Sequence, residues 1–159
     1  MIISTNEILY KLQKALSLSS KEMFSIYQLE NYAITETQVN ALLTRHQDNT
    51  FKICSYEELG VFLDGLITFK RGASPKKSDT KEAIALSNNL ILKKLRIALE
   101  IKEPEIEIIF GLSDIELTKQ QLSSLFRKES HKNFKPCSDS LLMAFIDGLD
   151  EFYYDGEEV

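Results

Sequence analysis

The two cysteines are intrinsically the strongest nucleophiles of this sequence, and both stand in the same phrase: FKICS at 51–55 and FKPCS at 134–138. A thiol turns reactive when a helix N-terminus or nearby cations stabilise its thiolate. Cys137 has those cues, with a helix start after it and Lys135 and His131 close by; with Asp139 it makes one candidate reactive site. The alternative is a buried cysteine that packs as a small hydrophobe, and the twin Cys54 in the same context favours it. Metal chemistry is the second candidate, because His46 lies near Cys54 and His131 near Cys137. Structural zinc needs four close ligands at short spacing. An 83-residue shift aligns His46 with Glu129 and His131 with Asp48, so the two clusters are not equivalent and neither a metal nor a cofactor is expected. Asp64-Gly65 and Asp147-Gly148 offer a pair of carboxylates for acid–base work, without a partner base beside them. No nucleophile elbow, phosphate-cradling glycine loop or H-E-x-x-H is present.

Cations supply the other candidate chemistry. The chain carries a formal charge of −5, which argues against a surface that binds polyanions all over. Yet Lys70, Arg71, Lys76, Lys77, Lys81, Lys93, Lys94 and Arg96 crowd one stretch against only Asp79 and Glu82, while the C-terminal DEFYYDGEEV is acidic. Lys70, Arg71, Lys93, Lys94 and Arg96, with Lys52 and Lys135 at equivalent loop positions, are the candidate partner contacts. A solvated linker and a solvated tail are the plainer meaning of such runs.

The elements that must position these residues come from a duplication. The same 83-residue shift aligns Asn6–Phe69 with Asn89–Phe152 without a gap, and roughly a third of the positions are identical, far above the few per cent that average composition gives. Each copy reads as four helices. Ile8, Leu9, Leu12, Ala15 and Leu16 form one apolar stripe that Ile91, Leu92, Leu95, Ala98 and Leu99 repeat. The second helix begins near Ser20 with Glu22 in its first turn, and its counterpart has Pro104 there. Thr35 and Gln38, matched by Thr118 and Gln121, make a capping box at the third helix, with Ile34 and Val39, and Leu117 and Leu122, as the hydrophobic staple. Ser55 with Glu58 is a further box, and Ser138 caps the equivalent helix. The repeated phrase is therefore expected to be an anchored loop: phenylalanine inward, lysine outward, cysteine stapled to Leu59 or Leu142. Glycine inside the fourth helices costs roughly 1 kcal/mol against alanine, so Gly65 and Gly148 predict a close helix crossing, with each aspartate exposed or bonded to a neighbouring cap.

The expected architecture is all-α, two tandem copies of a roughly four-helix unit related by an approximate twofold axis. Copy one spans 1–72, a polar linker 73–86, copy two 87–156 and an acidic tail 157–159. A 64-residue unit is marginal alone, so the copies should pack through their apolar faces. No signal peptide, disulfide framework or membrane span is read from the sequence, and the cytoplasm is the expected location.

NNLILKKLRIALEIKEPEI at 88–106 and HKNFKPCSDSLLMAFIDGL at 131–149, with FKICS and FLDGLITFKRG in copy one, resemble the YehS-like family of bacterial proteins. The resemblance covers nearly the whole chain. It implies a tandem helical domain of uncharacterised function in a bacterial cytoplasm, and supplies no active site. Asp139 matches the family's tendency to place aspartate two residues after the cysteine; Tyr56 departs from it.

A non-catalytic helical-repeat protein that binds a macromolecular partner in the groove between its copies fits these features best. The alternative is a nucleic-acid-binding regulator. Its helix-turn-helix-like pairs would present Thr37, Gln38, Asn40 and Arg45, or Lys119, Gln120, Ser124, Arg127 and Lys128, together with the basic segment 69–96. An enzyme with a cysteine- or aspartate-based site is the second alternative. The partner is a protein or a nucleic acid, with a homodimer open and no membrane.

Overall fold

The computed structural model describes residues 4–43, 52–72 and 86–154. These form eight α-helices, four in each copy: α1 (Thr5–Ala15), α2 (Ser20–Leu29), α3 (Glu36–Leu42), α4 (Tyr56–Arg71), α5 (Asn88–Leu99), α6 (Glu103–Leu112), α7 (Lys119–Phe126) and α8 (Asp139–Phe152). No strand occurs among the described residues. The expected linker, except Leu86, and the expected acidic tail lie outside them, as do His46, Arg45 and Phe51.

Each helix starts where a side chain satisfies the orphan backbone donors of its first turn. Ser4, Ser19, Thr35 and Ser55 cap the first copy's helices; Ser87, Thr118 and Ser138 cap α5, α7 and α8. Full capping boxes form at Ser19 with Glu22, Thr35 with Gln38, Ser55 with Glu58 and Thr118 with Gln121. At α6 the Glu105 carboxylate accepts from the Lys102 N–H at 2.9 Å, and Pro104 occupies the first turn. α4 ends at Gly72, whose φ of 84° suits glycine and whose N–H donates to the Thr68 carbonyl at 2.7 Å.

The described residues with positive φ other than glycine are Ser17, Asn31, Glu100 and Asp114. They are two pairs under the 83-residue shift, so the copies repeat their backbone as well as their sequence. Asparagine and aspartate tolerate this region; serine and glutamate hold it at a cost of about 1 kcal/mol.

Within each copy the fourth helix crosses the second closely: α4 on α2, α8 on α6. A Cβ at Gly65 would strike the Ile26 carbonyl oxygen, and one at Gly148 the Ile109 carbonyl oxygen. Between copies the packing is reciprocal. α1 lies against α8 and α5 against α4, so the first helix of each copy packs on the fourth helix of the other. That is the pattern a twofold axis produces, and it merges both copies' apolar stripes into one core that includes Leu9, Leu12, Phe62, Leu66, Leu92, Leu95, Phe145 and Leu149.

Candidate functional site

The repeated phrase is held by an asparagine that the sequence reading did not single out. Asn6 on α1 donates from Nδ2 to the carbonyls of Leu42 (2.9 Å) and Lys52 (2.8 Å), and its Oδ1 accepts from the Cys54 N–H at 2.9 Å. Asn89 repeats this with Leu125 (2.9 Å), Lys135 (2.9 Å) and Cys137 (2.8 Å). Thr5 Oγ1 and Asn88 Nδ2, at equivalent positions, bond the carbonyls of Cys54 and Cys137, and Asn88 also donates to Asp139 Oδ1 at 2.7 Å. The signal was available: Asn6 and Asn89 are the first identical pair of the repeat, and each is a polar residue three positions before an apolar-stripe leucine.

Cys54 and Cys137 are buried, next to helix caps as expected. Burial pushes both thiols up to about 12, helped by Glu58 at Cys54 and Asp139 at Cys137. A thiol in that setting stays protonated at neutral pH, opposite to what a nucleophile requires. His131 lies in an exposed turn, where its Nδ1 accepts from the Asn133 N–H at 3.0 Å and its Nε2 stands 3.5 Å from Arg127. Among the described residues no group of three or more His, Cys, Asp and Glu is arranged to hold a metal.

Asp64 and Asp147 are not brought together as a carboxylate pair. Each is taken by a lysine of the opposite copy: Asp147 by Lys11 at 2.9 Å and Asp64 by Lys94. These two ion pairs are equivalents under the 83-residue shift and bridge the copies. Asp147 is exposed, as expected of these aspartates, and Asp64 is half-buried; neither bonds a neighbouring cap in these ion pairs, because the cross-copy packing of α1 on α8 and α5 on α4 sets a lysine over each fourth helix.

The fold also engages three of the basic residues between 70 and 96. Lys94 is engaged with Asp64, Arg96 stacks over the Phe126 ring at 4.8 Å, and Arg71 Nε sits 3.4 Å from Glu100. Lys93 and Lys70 are exposed. Lys70 lines a cavity of about 380 Å³ between the C-terminal ends of α1, α4, α5 and α8, with Ala15, Leu16, Ala98, Leu99, Glu100 and Tyr153. In the repeated loops, Lys52 reaches Glu58 at 3.6 Å, whereas Lys135 has no acidic partner among the described residues.

Lys135 belongs to a different surface. The outer face of α7 and the turn after it form a shallow depression of about 470 Å³ lined by Lys119, two glutamines, two serines, Arg127 and Asn133. Thr118 caps α7, Leu122 and Leu125 are buried inward, and Lys119 and Gln120 are thereby left exposed in the first turn. The turn is closed by the Lys135 N–H donating to the Ser124 carbonyl at 3.0 Å. Lys128, Lys132 and Lys135 lie exposed around it. Between 119 and 135 five cations stand against Glu129 alone, a net of +4; the equivalent window 36–52 has Arg45 and Lys52 against Glu36 and Asp48, a net of zero. Among these, Lys119, Arg127 and Lys128 were named in the sequence; Lys132 and Asn133 were not, because only the fold sets that turn beside α7.

The family described as "Protein of unknown function (DUF1456)" matches residues 5–72 and again 88–153. "Uncharacterized protein YehS" of Escherichia coli (strain K12) is 30% identical over 145 residues, which cover 91% of this chain and 93% of that protein. No solved structure matches.

Proposed function

The chain belongs to that family of unknown function, matched once by each copy, and we propose that it is a non-catalytic binding module that offers one cationic, hydrogen-bonding face, α7 with the turn at 127–135, to a macromolecular partner. The observation that carries this is the divergence between copies. Residues that build the scaffold recur in both, namely the asparagine clamp, the stapled cysteine, the crossing glycine and the cross-copy ion pair. The outer face of the third helix does not recur: Glu36 and Thr37 stand where the second copy has Lys119 and Gln120. A duplicated fold that keeps its core and charges one face has specialised that face. Burial of both thiols and capture of both aspartates by lysine argue against the cysteine- and aspartate-based enzyme.

The groove between the copies is the second reading, favoured by the cavity at Lys70. A photo-crosslinking amino acid placed at Gln120, at Lys70 and, as a control, at the exposed Tyr10 decides between them in cells that produce the full chain. Adducts at 120 alone, lost when Lys119→Glu and Arg127→Glu are added, are the expected result. Adducts at 70 and none at 120 would move the site to the groove.

A further inference from the structure

We infer that the partner taken by the face of α7 is a nucleic-acid duplex, a deepening that rests on the binding-module reading above. The depression is lined by amides, hydroxyls, a guanidinium and an ammonium, without an apolar or aromatic side chain. Protein interfaces depend on a buried apolar or aromatic centre, which this surface lacks. Single strands are held by stacking bases on aromatic rings, which it also lacks. A duplex asks for what is present: cations for the phosphates on either side, and forked donors such as Arg127 and Gln120 that reach base edges. The placement agrees as well. α7 follows α6 across the six residues 113–118, a longer connection than the three or four of a helix-turn-helix, and its exposed first turn is the part that such a second helix turns to the groove. Lys119 and Gln120 hold those first-turn positions and are exposed. Lys128, Lys132 and Lys135 are exposed in the segment that follows α7 and adds charge for the phosphates. Glu129 among these cations, and the exposed Asp114 and Glu116 in the turn before α7, oppose the same ligand; five positive charges against these three acids leave 113–135 at a net of +2.

The test uses the full chain and fluorescence anisotropy with a labelled mixed-sequence DNA duplex of about three helical turns, and a single-stranded RNA of the same length. Titrations at 50 and 200 mM salt read the phosphate contacts: with about four of them, a slope near −0.9 per contact predicts a loss of roughly a hundredfold in affinity. Duplex binding should be at least tenfold tighter than single-strand binding at the lower salt. Lys119→Glu with Arg127→Glu should abolish it, while Lys70→Glu and Lys93→Glu, each removing one exposed cation elsewhere, should leave it within about twofold. All four positions are exposed, and an unchanged helical circular dichroism spectrum confirms that each variant is folded. Absence of duplex binding at 50 mM salt, equal binding of the single strand, or full binding by the doubly reversed variant would each overturn the duplex. If crosslinks from position 120 persist while the duplex is not bound, the duplex falls and the binding face stands; if position 120 yields no crosslink, both fall.

Discussion

Asparagine is a poor choice for the buried side of a helix unless its amide is fully used, and Asn6 uses all of it. Its two donors and its acceptor meet three backbone groups that would otherwise be orphaned beside the core. Asn6→Ala should therefore destabilise the protein by roughly 2–3 kcal/mol in urea unfolding. Asn89→Ala should cost less, because Asn89 and its bond to the Lys135 carbonyl are more exposed. The neighbouring thiols make a second residue-level prediction, with a definite sign. Burial raises Cys54 and Cys137 from the ordinary 9.0 to about 12, so the folded state holds its protons more tightly than the unfolded one. Their contribution is fully present below about pH 9 and is lost as pH rises towards 12. The urea midpoint should be flat to about pH 9 and then fall. In the Cys54→Ala, Cys137→Ala double variant the starting stability is lower and the alkaline fall shallower, with Tyr27, whose hydroxyl is also raised by burial, supplying part of what remains.

At the scale of elements, the glycines of α4 separate propensity from packing. Gly65 lies against the Ile26 carbonyl, whereas a Cβ at Gly60 meets open space. Gly60→Ala should stabilise by about 0.5–1 kcal/mol, the helix-propensity gain alone. Gly65→Ala should destabilise by roughly 1–3 kcal/mol because backbone has to move, and Gly148→Ala should follow Gly65. Thermal unfolding of the three variants checks the opposition of sign. The helices themselves were legible in the sequence, since apolar period, capping boxes and the Gly72 stop each act within a few residues. The helix partners were not. α4 and α8 share their packing positions, Leu59 and Leu142, Phe62 and Phe145, Asp64 and Asp147, Leu66 and Leu149, so α1 has equivalent apolar and acidic neighbours on its own copy's fourth helix and on the other's. Sequence periodicity alone cannot choose between them. Lys94 and Arg96 read as free charge for the same reason, as their partners Asp64 and Phe126 lie 30 positions before and after them.

At the scale of the whole molecule, the two copies share one core and differ in charge. In copy one the window 36–52 carries no net charge, and copy two repeats the scaffold while concentrating positive charge between 119 and 135 on an otherwise acidic protein. The reciprocal packing has a consequence for how the chain may be cut and joined. The approximate twofold axis that carries α4 onto α8 and α5 onto α1 also carries the step from Arg71 to Asn88 onto the step from Tyr154 to Thr5. A segment like the one that links the copies should then close the two ends, and new ends can open between Gly72 and Leu86. Such a circular permutant, beginning at α5 and ending at α4, should fold to the same helical content and keep every cross-copy ion pair as a contact between the same residues. Its order of copies would be reversed with no helix displaced, which makes connectivity here a bystander to the fold.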